Sequence, residues 1–409
     1  MWERLFETVA DQCVRKGSLT IDMPDGASRR YGDGTGPEIR IHIADRATLI
    51  GIVKNPELGV GEGYMNGTLT IEDDDLYGFM ALALKNVAEG AGPRFQRPLD
   101  AVRKLGGWIG QMNSSHKARR NVAHHYDLSA ALYDLFLDPD KQYSCAYFAR
   151  PDMTLEEAQV AKKAHIADKL RIEPGMHVLD IGCGWGGMAL TLARDYGARV
   201  TGVTLSQEQL KIARERAAAE GLSDQIDFRL MDYRDVTEQF DRVVSVGMFE
   251  HVGQPQYRTY FRKVHDRLRP DGIALIHTIG RTDPPGATSP WVQKYIFPGG
   301  YVPAMSECMA AVEKEDLYPC DVEVWRLHYA ETLRHWHDRF VAQRAAAVAM
   351  YDETFFRMWR YYLVASEMTF RLNRQCVFQF QLAHRQDAVP LTRDYLYPAR
   401  AQNAAMAAE

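Results

Sequence analysis

A glycine-rich loop between an apolar strand and a helix constrains this chain more than any other feature. The loop lies within Val178–Gly187, which reads VLDIGCGWGG, and residues 188–196 after it have a helical pattern. Gly182 and Gly184 permit positive φ angles and let a ligand approach the backbone closely. The loop therefore predicts a nucleotide-type binding site in an α/β domain.

The second predicted strand indicates which ligand this site takes. A dinucleotide site requires an acidic residue about 20 residues after the loop, where it binds the ribose hydroxyls. Here Leu205–Gln207 follow the strand, and the nearest acid, Glu208, belongs to the next predicted helix. The position of the third glycine and the preceding Asp180 also fit S-adenosylmethionine better than a pyrophosphate. The pattern therefore favours S-adenosylmethionine over a nicotinamide dinucleotide.

Continuous apolar runs alternate with helical segments in the middle of the chain. This order predicts an α/β fold: a Rossmann-type class I methyltransferase domain with a mostly parallel, doubly wound sheet. The residues after 303 read as mostly helical and aromatic. The predicted strands are His177–Ile181, Arg199–Thr204, Gln225–Leu230, Arg242–Val246 and Ile273–His277.

The rest of the chain divides around a break rich in glycine and proline. Residues 1–92 read as a small N-terminal α+β domain associated with lipid, and residues 93–120 as a linker and basic helix. The catalytic domain is predicted at 121–395, including C-terminal aromatic helices, and a flexible tail at 396–409. Five lysines and arginines and no acid between 102 and 125 indicate contact with anionic lipid headgroups, or alternatively a solvated helix face.

Charge and cysteine usage exclude several classes of function. The formal net charge of −5 argues against nucleic acid as the main partner. The six cysteines lack C-x-x-C spacing, so neither a disulfide framework nor a metal site is predicted. The N-terminus lacks the order of a signal peptide, and no apolar run reaches the length of a membrane span. We expect a cytoplasmic protein that contacts the inner face of the membrane peripherally.

Polar residues follow the predicted strands at the edge where ligands of open α/β sheets bind. Asp232 and Tyr233 offer a carboxylate for an adenine amine and a ring that stacks on adenine. Glu250 and His277 follow the fourth and fifth strands and should converge. A satisfied core polar role is the alternative for either residue taken alone.

These residues belong to a longer set of motifs that resembles the cyclopropane fatty acid synthases, which include the mycolic acid cyclopropane synthases. Leu58–Met65, in the N-terminal domain, is similar to the longer, phospholipid-acting branch. The other matching segments are Tyr126–Ser129, Phe136–Pro139, Tyr143–Phe148, the glycine-rich loop, Thr204–Ser206, Met248–Gly253, His277–Gly280, Trp291–Gly300 and Tyr329–Trp336.

The resemblance implies a specific reaction. Such enzymes add the methyl carbon of S-adenosylmethionine to a cis double bond of an unsaturated phospholipid acyl chain, and a carbocation results. A bound bicarbonate then removes a proton, and a cyclopropane ring closes. The implied holders of bicarbonate are Cys145, Glu250, His277, Tyr329 and the backbone at Ile279. The predicted cofactor contacts are Tyr143, Ser144, Asp180, Gly182, Cys183, Gly184, Gly186, Thr204, Leu205, Gln209, Asp232 and Tyr233.

The resemblance also implies partners, a homodimer and a phospholipid in the membrane, and leaves alternatives open. A related fatty-acyl C-methyltransferase would give a methyl-branched or methyl-substituted unsaturated chain. A non-catalytic lipid carrier and a small-molecule methyltransferase are further alternatives. Many family members carry a cysteine where this chain has Ser366. Aromatic residues of the predicted late helices belong to the core or line an acyl channel: Phe355, Phe356, Trp359, Tyr361, Tyr362, Phe370, Phe378 and Phe380.

Overall fold

The computed structural model describes residues 1–93 and 130–397. The predicted linker and basic helix, the Tyr126–Ser129 motif and most of the predicted tail lie outside these residues. Among the described residues, no helix is long and apolar enough to cross a membrane.

The N-terminal residues form a four-stranded sheet packed on helices. The strand order is β2-β1-β3-β4, in which β1 and β3 are parallel and the outer pairs are antiparallel. Alternating Ile39, Ile41 and Ile43 place one face of β3 in the core. The elements are α1 (Trp2–Cys13), β1 (Ser18–Asp22), β2 (Ser28–Tyr31), β3 (Glu38–Ile43), α2 (Arg46–Lys54), α3 (Pro56–Asn66), β4 (Leu69–Ile71) and α4 (Leu76–Ala88).

Helix α3 contains the Leu58–Met65 motif, and the packing of the helix explains why this motif is rich in glycine. A Cβ at Gly59 would lie 2.5 Å from the backbone carbon of Gly51 in α2. A Cβ at Gly61 would lie 2.4 Å from Cδ1 of Trp291, which belongs to the catalytic domain. The glycines therefore permit close packing on both sides of the helix.

The larger sheet has seven strands in the order β10-β11-β9-β8-β5-β6-β7. Strands β5 to β9 pair in parallel, whereas β11 pairs antiparallel with both β9 and β10. The prediction of a mostly parallel doubly wound sheet is confirmed. Its strands are β5 (His177–Ile181), β6 (Arg199–Thr204), β7 (Ile226–Leu230), β8 (Phe240–Val246), β9 (Leu268–Arg281), β10 (Tyr318–Trp325) and β11 (Gln375–Ala383).

The prediction that residues 303–385 are mostly helical missed two strands. Phe378 and Phe380 lie on β11, not on a helix, and pack in the core under the sheet. The continuous run Cys376–Ala383 is buried on both faces, which removes the alternation that marks a half-buried strand. A run of this kind has the same composition as a buried helix.

Helices flank this sheet and connect it to the N-terminal unit. The helices are α5 (Ala130–Asp134), α6 (Leu155–Leu170), α7 (Gly187–Tyr196), α8 (Gln207–Ala219), α9 (Tyr257–Arg267), α10 (Pro290–Tyr295), α11 (Met305–Glu313), α12 (His328–Ala342), α13 (Arg344–Met350) and α14 (Glu353–Leu372).

One hydrophobic cluster spans both parts of the chain. It includes Phe6, Ile41 and Phe79 of the N-terminal unit together with Trp291 and Tyr361 of the catalytic domain. Helix α14 packs against α3 and α4 on one side and against α12 on the other. The two sheets are therefore joined through α14.

Candidate functional site

Two adjoining spaces lie at the carboxyl ends of the parallel strands. The smaller has a volume of about 100 Å³, and the larger about 740 Å³. Gly247 and His251, which follow β8, line both of them. This is the edge where open α/β sheets bind ligands.

The smaller pocket is lined by half of the predicted cofactor contacts. Asp180, Cys183, Gly184 and Gly186 are not among its lining residues but belong to β5 and the loop beside it. Sequence reasoning did not single out Met231, Arg234, Pro298 and Gly299, which also line it. The predicted contacts that line the pocket are Gly182, Thr204, Leu205, Gln209, Asp232 and Tyr233.

The glycines of the loop have left-handed backbone angles for different reasons. Gly182 has φ +81°, and a Cβ there would lie 2.8 Å from Cγ of Met248. Gly184 has φ +54°, and a Cβ there would point into open space. A side chain at Gly182 would therefore disturb packing, whereas one at Gly184 would fill space beside the loop.

A buried carboxylate lies just before this loop. Asp180 is 2% exposed, and its Oδ2 atom has no hydrogen-bond partner within the part of the chain that the structure describes. Burial raises the pKa of Asp180 to about 7. An orphaned buried acid beside a glycine cradle fits a ligand that carries a positively charged group, as S-adenosylmethionine does.

The ends of β6 and β7 supply the polar wall of the pocket. The Thr204 hydroxyl donates to Oε1 of Gln209 at 2.9 Å, and Ser206 caps helix α8. Arg234 donates to both carboxylate oxygens of Asp232, with a closest distance of 2.6 Å. The Asp232 carboxylate, which was predicted to bind an adenine amine, is thus already held by the Arg234 guanidinium. Sequence reasoning missed this pairing.

The larger cavity brings together all five predicted reaction-site residues. Its wall also includes Tyr143 and Ser144, which were predicted to contact the cofactor. These two residues therefore lie where the predicted cofactor site meets the reaction site. The five reaction-site residues are Cys145, Glu250, His277, Ile279 and Tyr329. They come from a loop before α6, the ends of β8 and β9, and α12.

Glu250 is the central buried acid of the cavity. The backbone N–H of Ile279 donates to its Oε1 at 2.5 Å, while Oε2 has no hydrogen-bond partner among the described residues. Burial raises the pKa of Glu250 to about 7, although the Ile279 hydrogen bond opposes this effect. The Ile279 backbone amide therefore orients Glu250, a role that differs from the direct anion contact implied by the resemblance.

His277 lies on β9, lines the same cavity as Glu250 and is held by the antiparallel strand β11. Gln379 Nε2 lies 3.1 Å from Nδ1 of His277, and an amide nitrogen can only donate. Burial lowers the pKa of His277 well below its ordinary value, and the Lys162 ammonium adds to the effect. The ring is therefore neutral, with one nitrogen that donates a hydrogen bond and one that accepts.

Cys145 and Tyr329 complete the reaction cluster. Cys145 is 1% exposed, and burial raises the pKa of its thiol, so the side chain is a neutral thiol and not a nucleophilic thiolate. The Tyr329 ring packs edge-on against Trp336 and lies 5.0 Å from the Phe370 ring.

A buried lysine supports this cluster and gave no recognisable sequence signal. Lys162, on α6, is 0% exposed, and its Nζ donates to Gln142 Oε1 at 2.7 Å and to Ser144 Oγ at 2.8 Å. Burial lowers its pKa to about 7. One turn earlier, Gln159 donates to the carbonyls of Gln142 and Ser144. Helix α6 thus fixes the segment that carries Ser144 and Cys145.

The comparisons with known proteins agree with this geometry. The family model described as mycolic acid cyclopropane synthetase matches residues 113–380. The chain belongs to this family. Residues 2–88 match a separate model, a domain of unknown function.

Two relatives of this synthase family cover most of the chain. A cyclopropane-fatty-acyl-phospholipid synthase of Escherichia coli is 42% identical over 89% of this chain and 94% of its own length. A tuberculostearic acid methyltransferase of Mycobacterium tuberculosis is 36% identical over 91% and 90%.

A solved structure supports the cofactor. A mycolic acid cyclopropane synthase in complex with SAH and CTAB has a TM-score of 0.61 and 34% identity, covering 64% of this chain and 97% of its own. The family membership and the fitting pocket together make this protein an S-adenosylmethionine-dependent methyltransferase of the cyclopropane synthase family.

Two predictions about the acyl channel can be compared with the cavity wall. Tyr361, Tyr362 and Phe370 line it, and Ser366 lies among them. Cys376 lies on β11 in the core beneath the sheet. Phe355, Phe356 and Trp359 are not among the lining residues. Phe356 and Trp359 are buried in the hydrophobic cluster, and Phe355 is partly buried against it.

Proposed function

We propose that this protein transfers the methyl carbon of S-adenosylmethionine to a cis double bond in an unsaturated phospholipid acyl chain and closes a cyclopropane ring. One observation carries the proposal: the larger cavity contains the buried carboxylate of Glu250, whose Oε2 has no hydrogen-bond partner among the described residues, and neutral His277 lines the same wall. The cavity adjoins the cofactor pocket at Gly247 and His251. An alkene in this cavity would lie between a methyl donor and a polar cluster.

The wall of the cavity suits an alkene that becomes a cation. Apolar and aromatic side chains exclude the water that would otherwise capture a carbocation, and aromatic faces attract positive charge. Tyr329, Tyr361, Tyr362 and Phe370 provide such rings. The hydroxyls of Tyr143 and Tyr362 are hydrogen-bonded to each other at 3.0 Å, which fixes both rings.

The polar cluster fits a small oxyanion such as bicarbonate. Oε2 of Glu250 has no hydrogen-bond partner in residues 1–93 and 130–397, so it can accept a hydrogen bond from a protonated oxyanion, and the neutral His277 ring can donate one. Cys145 and Tyr329 contribute a thiol and a hydroxyl to the same wall. When bound, S-adenosylmethionine supplies an electrophilic methyl group and bicarbonate supplies a base.

Lipid product analysis tests the proposal. Phospholipids from cells that express the protein should contain acyl chains heavier by one methylene, and these chains should keep their mass under mild hydrogenation that reduces alkenes. Glu250→Gln keeps the size of the side chain but removes the carboxylate acceptor, so the product should fall by about a hundredfold, in the range of a lost catalytic acid or base. Wild-type-like activity in Glu250→Gln, or no modified lipid from the wild type, would refute the proposal.

A related fatty-acyl C-methyltransferase is the second candidate. The similarity to a tuberculostearic acid methyltransferase and the serine at position 366 support this second candidate. Its methyl-substituted unsaturated product would gain two hydrogens in the same hydrogenation, and a methyl-branched saturated chain would have a different mass from a cyclopropane. The same spectra therefore distinguish the two products.

We also propose that the protein acts as a homodimer on unsaturated phospholipid in the membrane. The basic stretch between 102 and 125 supports the membrane contact by its charge. Co-sedimentation with vesicles should rise with their anionic lipid content and fall with salt. Sedimentation equilibrium of the full chain should give twice the monomer mass.

A further inference from the structure

We infer that the N-terminal α+β unit is an acyl-chain subsite, which holds the methyl-terminal end of the substrate chain while the double bond lies at Glu250. This inference rests on the proposed function, because it assigns one part of the same substrate. The observation behind it is the course of the 740 Å³ cavity, which continues from the reaction cluster into the interior of the N-terminal unit.

The path of the cavity runs along one face of α14. Tyr362, Ser366 and Thr369 line it near the reaction cluster. Val60 of α3 lines the cavity together with Trp291 and Tyr361, so this part of the wall is formed jointly by both units. The close contact of Gly61 with Trp291 holds α3 at this boundary.

The inner end of the cavity lies between the N-terminal helices and sheet. Residues that form the core of this unit also line the space, so the core is partly hollow. Protein interiors contain few voids larger than a water molecule, and polar partners are needed to hold water in one. The lining residues here are apolar and come from α1, the sheet and α4, among them Phe6, Val9, Ile21, Ile41, Phe79 and Ala83.

The chemistry of the two ends orients the chain. Glu57 is the one charged residue among the described lining residues of the N-terminal unit, and it lies on α3 at the boundary between the two units. At the catalytic end, Arg281, Ser289 and Asn373 line the wall near the ends of β9 and α14. Arg281 is paired with Asp283 through hydrogen bonds of 2.7 and 2.9 Å. A polar headgroup fits this polar end, and the methyl end of the chain fits the apolar interior.

Photo-crosslinking tests the location directly and does not depend on turnover. The full-length protein is irradiated with vesicles of phosphatidylglycerol that carries a diazirine near the methyl end of a cis-monounsaturated chain, without cofactor. Labelled peptides should come from α1 or α4. A second probe with the diazirine next to the ester carbonyl should label peptides of the catalytic domain. Labelling by the methyl-end probe confined to catalytic-domain peptides would overturn the inference.

A space-filling variant tests the same point by chain-length preference. Ala83→Phe places a ring in the inner chamber, whereas Ala81→Phe changes another half-buried alanine of α4 that does not line the cavity. Vesicles contain equal amounts of oleoyl and myristoleoyl chains, whose double bonds lie at the same carbon and which differ only beyond it. In Ala83→Phe the ratio of oleoyl to myristoleoyl product should fall about tenfold, because overpacking penalises the longer tail.

The control and the two readouts separate the possible failures. Ala81→Phe should keep the wild-type product ratio, and both variants are compared with the wild type by thermal unfolding. An unchanged ratio in folded Ala83→Phe would overturn the inference. Methyl transfer without N-terminal labelling would leave the proposed function standing and refute the subsite. N-terminal labelling without methyl transfer would support the subsite and refute the proposed function.

Discussion

Glu250 illustrates how the fold changes the chemistry of a single residue. In the sequence it is one of several acids that follow an apolar run, and its position at a strand end was sufficient to single it out. Its protonation behaviour comes from burial, which raises its pKa to about 7, so it changes charge near neutral pH. Asp180 undergoes the same shift for the same reason in front of the glycine-rich loop.

The pH dependence of stability provides a test of the buried Glu250. Its folded-state pKa is raised, from 4.5 to about 7, so its contribution is fully present below pH 4.5 and is lost as pH rises through about 7. The full change corresponds to about 3 kcal/mol. Glu250→Gln cannot ionise, so its stability relative to the wild type should improve across this window in cofactor-free protein.

Urea unfolding at several pH values measures this difference. Glu313→Gln, which removes an exposed carboxylate at the end of α11, is the control variant and should run parallel to the wild type. Parallel curves for Glu250→Gln and the wild type would contradict the burial of an ionisable Glu250.

Helix α14 is the element that couples the two units of the chain. One face lines the cavity, and the other holds a buried ion cluster at Glu367, which is 0% exposed. Glu367 accepts hydrogen bonds from Tyr77 of α4 at 2.8 Å, from Arg334 of α12 at 3.1 Å and from Arg371 at 2.7 Å. The Arg334 guanidinium also lies 3.9 Å from the centre of the Tyr77 ring. A single carboxylate therefore connects three helices.

Loss of this carboxylate should cost much more stability than loss of its exposed neighbour. Glu367→Ala leaves three donors without their shared acceptor and should lower the free energy of unfolding by about 3 kcal/mol. Glu331 pairs with the same Arg371 at 3.0 Å but is 45% exposed, so Glu331→Ala should cost about 1 kcal/mol or less. Chemical denaturation of both variants gives the comparison, and equal losses would contradict a structural role for the cluster.

On the scale of the whole molecule, the N-terminal unit and the catalytic domain share one hydrophobic cluster. Two further clusters lie on either side of the seven-stranded sheet. A shared core means that neither unit buries its apolar surface completely without the other. The two units should therefore unfold together.

Calorimetry of the full chain tests this coupling. We expect one cooperative transition, and Gly61→Ala should shift the whole transition down by a few degrees, because its Cβ collides with Trp291. Two transitions in the wild type, with only one of them displaced in Gly61→Ala, would show that the units unfold independently.

The features that the sequence by itself determined are those that depend on short stretches of consecutive residues. The strands β5 and β6 were predicted at their observed ends, because continuous apolar runs bounded by polar residues define buried parallel strands. The glycine-rich loop identified the cofactor site, and the strand-end rule brought Glu250 and His277 to one edge. The motif resemblance supplied Cys145 and Tyr329, which are far apart in the chain.

The tertiary structure decided what depends on distant partners. β11 was missed because it is buried on both faces, which removes the alternation that identifies a half-buried strand. β10 is half-buried along most of its length and was also missed. The buried Lys162 and the orphaned oxygen of Glu250 depend on which segments close around them. The hollow core of the N-terminal unit joins the catalytic cavity only because α3 and α14 pack together. Burial and cavity shape arise only when distant segments pack together, whereas strands, loops and motifs can be identified from consecutive residues.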